Sequence, residues 1–224
     1  MGLGERADTT VELLESLGQP VLALEVHPTR VAWARERLRG RPIEILEVDA
    51  LLGAREGPRG GLLRCANVLR QYPVEAVAQA HSALCSWVDE GGIVLEGSCD
   101  KEGHVGAMHI LQRAAHGPHR RALAFVTDFR RGFAPIQLRD HLPRDLRRQV
   151  RPGGCLMDFF ARWSAAWQDT RSGDPAEDFR RAAAALGAEV ELVELGSEDD
   201  PSAALIWSPA DGVPRPGGSP PGTQ

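Results

Sequence analysis

The sequence has little of several features that define whole classes of protein. It contains four cysteines (Cys65, Cys85, Cys99, Cys155) and no C-x-x-C pair in 224 residues, which excludes a disulfide scaffold and argues against a zinc site. No apolar run approaches the roughly 20 residues that cross a membrane, and the first 20 residues lack the apolar block of a signal peptide. We therefore expect a cytoplasmic protein with four buried, reduced thiols and no bound metal.

Lysine is almost absent, because arginine supplies all but one of the 26 basic residues, against 31 acidic residues. Hydrophobic residues (42%) and charged residues (25%) are present in ordinary globular proportions, so a chain of this length can bury a sizeable core. Residues 113–151 hold ten arginines against three acids. This segment predicts a solvated arginine-rich face; the alternative is recognition of an anionic acceptor or RNA. Nucleic acid is the less favoured partner, since no recognisable nucleic-acid-binding motif of interleaved aromatic residues accompanies the arginines.

Short apolar runs alternate with helical patterns through the first half of the chain, which is typical of βαβ units and a mostly parallel sheet. The apolar runs predict strands at 20–26, 43–48, 61–65 and 92–97. Capping residues, apolar periodicity and terminating glycines predict helices at about 9–17, 29–39 and 74–88. The predicted class is α/β, with a doubly wound, Rossmann-like sheet.

The pattern is looser in the second half. It predicts helices at 104–115, 136–150, 155–168 and 176–186, and a strand at 122–128. Two apolar runs, 189–195 and 203–207, are spaced to pair as an antiparallel C-terminal hairpin. We expect a single domain over 1–207, with a helical insertion at 129–187 that covers an acceptor site. Residues 208–224 are rich in proline and glycine and predict a disordered tail.

A glycine-rich motif opens the chain. Gly2 and Gly4 belong to a G-x-G-x-x-A string that leads into the first predicted helix, where a backbone turn and helix N–H groups suit a bound ligand. The next strand ends in Glu25, where an acid can bind both ribose hydroxyls of a nucleoside, and the following strand ends in a second acid, Asp49. These features favour a nucleoside-binding crevice over an α/β scaffold whose strand-end acids are only solvated.

Five segments in this order resemble the class I S-adenosylmethionine (SAM)-dependent methyltransferases. They read GLGERADTTVELL, VLALEVHPTRVAWARERL, LEVDA, RCANVLRQYP and DEGGIVLEGSCDKEG. The NVLRQY and EGSCD strings resemble more narrowly a group of bacterial methylases. The resemblance covers residues 2–100 well and 100–207 loosely.

The resemblance implies SAM as cofactor and methyl transfer to an unidentified, small-molecule acceptor, with RNA as a minority alternative. It implies that Gly2, Gly4, Glu25, Asp49, Ala50 and Asn67 bind the cofactor, with Glu25 on the ribose and Asp49 at the adenine amino group. Catalytic residues are only weakly indicated. Asp100 and His104 follow the fifth strand of the family's pattern and are candidates for a general base, which is needed only if the acceptor must lose a proton.

Two departures from the family pattern keep other functions open. His27 stands where the family has an acid, and the strand that precedes the glycine loop, central in the family's sheet, is absent. We expect from this that the true start lies upstream. The alternatives are a non-catalytic binding protein with a degenerate cofactor site and a nicotinamide-dependent oxidoreductase.

Overall fold

The computed structural model describes residues 8–53, 58–210 and 212–214. The first half contains α1 (Asp8–Leu17), β1 (Val21–Glu25), α2 (Pro28–Arg37), β2 (Ile43–Glu47), β3 (Gly60–Ala66) and α3 (Val77–Cys85). The second half contains β4 (Val88–Cys99), β5 (Val105–Ala114), β6 (Gly117–Thr127), α4 (Pro135–Arg139), α5 (Cys155–Thr170), α6 (Pro175–Leu186), β7 (Val190–Glu194) and β8 (Ala203–Trp207). None of the helices in the described part of the chain is long and apolar enough to span a membrane.

The strands form a two-stranded and a six-stranded sheet. Strand β1 pairs with β2 in parallel, and the larger sheet has the order β3-β4-β5-β6-β8-β7. Within it β3 and β4 are parallel, whereas each later pair is antiparallel. The predicted α/β class and the antiparallel C-terminal hairpin, β7–β8, are confirmed. Parallel pairing occurs in the βαβ half of the chain, up to β4.

The helix predicted at 104–115 is wrong, because this segment forms β5 between two long neighbours. Residues Val105, Ala107, His109 and Leu111 are buried on one face, which is the period of two that a strand requires. Strand β6 is also longer than predicted, since it begins at the turn around Gly117, whose φ is +112°. Hydrogen bonding to β4 on one side and β6 on the other outweighs the local helical pattern.

The helix predicted at 136–150 is also largely wrong. Only α4 and a 3-10 turn at Arg147–Gln149 are helical there. Pro143 lies between them, and a proline inside a helix lacks the N–H that would bond to the preceding turn. The helices predicted at 155–168 and 176–186 are confirmed as α5 and α6.

The main core lies between the antiparallel strands and helices α4–α6, and it is built largely from aromatic rings. The ring centroid of Phe125 on β6 lies 5.6 Å from that of Phe159 and 5.3 Å from that of Trp163, both on α5. All three side chains are fully buried. The segment predicted to be a cover therefore supplies more than half of the buried residues of this core. Residues 211 and 215–224 of the predicted tail lie outside the described residues, whereas Val213 is buried in the same core.

The two sheets are separated by a slot. In the described part of the chain, β1 pairs with β2 alone and β3 pairs with β4 alone, so one edge of each faces the other. The slot has a volume of about 850 Å³ and is lined largely by apolar side chains, among them Leu13, Leu17, Leu22, Leu63 and Trp87.

Candidate functional site

A pocket of about 630 Å³ opens where β1, β3 and β4 end. The carboxyl ends of parallel strands meet at the same edge of a sheet, which is where open α/β folds bind ligands. The volume of this pocket is within the range of small-molecule sites, roughly 300–1,000 Å³. Of the predicted site residues, Glu25, Asn67 and Asp100 line this pocket; Gly2 and Gly4 lie outside the described residues.

Glu25 is the last residue of β1 and is fully buried. Its Oε1 accepts hydrogen bonds from the backbone N–H groups of Val26 (3.0 Å) and His27 (2.9 Å). Its Oε2 lies 3.9 Å from the Nη1 of Arg30 on α2. The turn from strand to helix thus fixes the carboxylate in one orientation at the pocket wall.

Asp49 and Ala50 have local structural partners and do not line this pocket in the described structure. The Oδ1 of Asp49 accepts the N–H of Leu51 at 2.9 Å and caps the short 3-10 turn after β2. The carbonyl of Ala50 accepts the indole N–H of Trp87 at 3.0 Å. The sequence prediction that Asp49 and Ala50 bind the cofactor therefore stays a prediction.

Asn67 joins the ends of β3 and β4 at the pocket. Its Oδ1 accepts the backbone N–H of Cys99 at 3.0 Å, and its Nδ2 lies 3.1 Å from the Cys99 Sγ. Its φ of 62° is in the left-handed region, which asparagine tolerates better than most residues. The amide side chain and the backbone together shape the pocket floor.

The two candidate bases have different surroundings. The Asp100 side chain lines the pocket, and its Oδ2 lies 3.2 Å from the Nε of Arg131. His104 is not among the lining residues; its Nδ1 lies 2.6 Å from the Oδ2 of Asp128. Asp100 is therefore in a position to meet a ligand in this pocket, whereas His104 pairs with an acid beside it.

Sequence reasoning missed Tyr72 as a site residue. This single tyrosine of the chain lines the pocket and is 39% exposed, so its ring is available to a planar ligand. The available signal was its place at the end of the NVLRQY string.

The arginine-rich segment is partly solvated, since five of its ten arginines are exposed, whereas two of the cysteines are less buried than predicted. Several arginines of 113–151 pair with acids or donate to carbonyls. Arg120 pairs with Asp145, and Arg144 donates to the Tyr72 carbonyl. The prediction of four buried thiols is wrong for Cys155, which is exposed at the start of α5, and for Cys99, which is partly exposed.

No protein-family model and no curated protein matches this chain. Among solved structures, the sugar N-methyltransferase KedS8 from Streptoalloteichus sp ATCC 53650 is 14% identical, with a TM-score of 0.36 over 91% of this chain and 77% of that chain. The CcbJ methyltransferase from Streptomyces caelestis is 14% identical, with a TM-score of 0.38 over 93% and 82%. LepI in complex with SAM is 13% identical, with a TM-score of 0.39 over 92% of this chain and 41% of LepI. At this level of similarity, what this chain binds has to be argued from its own pocket.

Proposed function

We propose that the protein binds SAM in the pocket at the ends of β1, β3 and β4 and transfers its methyl group to a small-molecule acceptor. The observation that carries this proposal is the Glu25 carboxylate, which lines the pocket and is held by two backbone N–H groups. A carboxylate fixed at this strand end is suited to accept hydrogen bonds from both hydroxyls of a ribose.

Two further lining residues suit other parts of SAM. Tyr72 offers an aromatic face to a purine, and the short polar side chain of Thr10, on α1, lines the same pocket. Bound SAM supplies an electrophilic methyl group on a sulfonium centre. The chain's own residues then have to hold the acceptor in line with that methyl group, which can supply most of the rate acceleration. We assign to Asp100, which lines the pocket, the acceptance of a proton where the acceptor must lose one.

The test is a calorimetric titration of the full chain with S-adenosylhomocysteine, with NADH titrated in parallel. We expect S-adenosylhomocysteine to bind and NADH not to bind. Glu25→Gln keeps the size of the side chain but removes its charge, and hydrogen bonds to charged groups contribute about 1.5–3 kcal/mol. The variant should therefore weaken binding by about tenfold or more.

The matched control is Glu47→Gln. Glu47 stands opposite Glu25 in the parallel register of β1 and β2 but is exposed, and it does not line the pocket. If NADH binds and S-adenosylhomocysteine does not, the protein is a nicotinamide-dependent oxidoreductase rather than a methyltransferase. Binding of neither ligand, by a folded chain, would favour a non-catalytic protein.

A further inference from the structure

A cluster of buried titratable side chains lies away from the pocket. Its members are His81 on α3, Glu96 on β4 and His109 on β5, which are 2%, 1% and 0% exposed. We call these three residues the His–Glu cluster. Leu111, two residues from His109 on the same face of β5, belongs to one hydrophobic cluster, and Ala107 belongs to the other. The His–Glu cluster therefore occupies the boundary between two apolar cores, where unsatisfied polar groups are costly.

The donor atoms of the cluster converge on one point. One ligand atom from each of the three residues lies within 4.8 Å of the other two. The Nε2 of His81 is 3.0 Å from the Oε2 of Glu96, and Glu96 and His109 are directly opposite in the antiparallel register. Donor atoms that share a zinc ion at about 2.0–2.1 Å lie about 3.3 Å apart. The three donor atoms, which lie within 4.8 Å of one another, have to close to this spacing to bind the ion.

A second layer of residues fixes the orientation of His109. Its Nε2 lies 2.9 Å from the Oδ1 of Asp145, whose Oδ2 is 2.6 Å from the Nη2 of Arg120. Because an ionised carboxylate only accepts hydrogen bonds, Nε2 carries the proton and Nδ1 presents a lone pair. That Nδ1 is buried and has no hydrogen-bond partner among the described residues. A carboxylate behind an imidazole in this way is the usual outer partner of a metal-binding histidine.

We propose that the His–Glu cluster binds a divalent first-row transition-metal ion through His81, Glu96 and His109. A donor set of two imidazoles and one carboxylate favours such ions over calcium or magnesium. Binding through His81 Nε2 requires a neutral imidazole with its proton on Nδ1, so a proton shared between Nε2 and Glu96 leaves to solvent. The Arg120 guanidinium, whose Nη2 lies 3.5 Å from that Nδ1, then has to turn away, while Nδ1 of His109 needs no deprotonation. The ion would crosslink α3 to β4 and β5 and so stabilise the contact between the two apolar cores. The proposal is independent of the proposed methyl transfer.

The sharpest test uses the full chain, purified without an affinity tag, made metal-free with a chelator and then titrated with Co²⁺. We expect one equivalent to bind, with a visible ligand-field absorption and a rise in Tm of several degrees. Glu96→Gln and His109→Gln should each weaken Co²⁺ binding at least about 100-fold, and Asp145→Asn should weaken it about 10–100-fold through the orientation of His109. His119→Gln, an exposed histidine on β6, is the control and should bind as the unaltered chain does.

Two results would overturn the proposal. The first is a folded metal-free chain that takes up no stoichiometric Co²⁺, since the cluster would then be a hydrogen-bonded network completed by water. The second is uptake that both cluster variants leave unchanged. If the variants do not fold, X-ray absorption of the zinc-loaded chain decides: imidazole and oxygen ligands support the site, and a sulfur ligand contradicts it.

Discussion

Two polar residues at strand ends both accept backbone N–H groups and line the pocket. Glu25 accepts two N–H groups of its own turn, and Asn67 satisfies the backbone N–H of Cys99 on the next strand. Each side chain is therefore fixed before any ligand arrives, which reduces the entropy that binding must overcome. Asp49 also accepts a backbone N–H, that of Leu51, but the 3-10 turn that it caps does not line the pocket.

The four cysteines should differ sharply in reactivity. Burial raises the pKa of the Cys65 thiol from 9.0 to about 12 and that of Cys85 to about 11, and it also raises the pKa of Cys99. The thiolate is the reactive form, so at pH 8 a disulfide reagent should modify Cys155 rapidly, Cys99 slowly, and Cys65 and Cys85 only on unfolding. Absorbance of the released chromophore counts the thiols in each phase.

The same shifts predict how stability depends on pH. A pKa that is higher in the folded state favours folding below pH 9, and this contribution is lost as the pH rises, because the thiols of the unfolded chain ionise first. The free energy of unfolding should therefore decline above about pH 9.

The control for the labelling experiment is Cys155→Ser, in which the fast labelling phase should vanish. Two or more fast-reacting thiols in the unaltered chain would contradict the burial of Cys65, Cys85 and Cys99.

At the scale of elements, the antiparallel β4–β5–β6 unit is the centre of the larger sheet. In this unit Gly97 on β4 stands opposite Met108 on β5. A Cβ at Gly97 would lie 2.1 Å from the carbonyl oxygen of Ala107 and 2.7 Å from the Cα of Met108. Both neighbours are backbone atoms, so neither can move without disturbing the ladder.

Gly97→Ala should therefore destabilise the protein by about 3 kcal/mol, at the upper end of what overpacking costs. Denaturant unfolding measures this change. Gly61→Ala, in the adjacent strand β3, is the control: a Cβ there meets no atom within 4 Å, and the change should stay within about 0.5 kcal/mol. Equal effects of the two substitutions would show that β4 and β5 are further apart than described.

At the scale of the whole molecule, stability is distributed unevenly between the sheets. Strands β5 and β6 are paired on both sides and pack on the aromatic core, whereas within residues 8–53 and 58–210 β1 and β2 pair only with each other, beside the slot. Two-stranded sheets are marginal without further packing, and here α2 supplies it through Val31 and Ala34.

We therefore expect hydrogen exchange to separate the two sheets. Amides of β6 around Leu123 and Phe125 should show the greatest protection, and those of β1 should exchange at least about tenfold faster through local opening. Mass spectrometry of peptic fragments resolves the two regions, and S-adenosylhomocysteine should slow exchange in β1 if Glu25 binds it. Equal protection in β1 and β6 would mean that the slot does not weaken the smaller sheet.

The sequence by itself determined the α/β class, most of the elements up to β4, helices α5 and α6, and the C-terminal hairpin. These follow from local signals: apolar runs, caps, glycine stops and helical periodicity. It also selected Glu25 and Asn67, because a polar residue directly after an apolar run is visible in the chain.

Only the tertiary structure decided the rest. Residues 104–115 became a strand because hydrogen bonds from two neighbours, distant in sequence, outweigh local preference. The His–Glu cluster was invisible to spacing rules, since His81, Glu96 and His109 come from three elements and meet only when α3 packs on the sheet. Contacts across the fold, rather than position in the chain, bring these three side chains together.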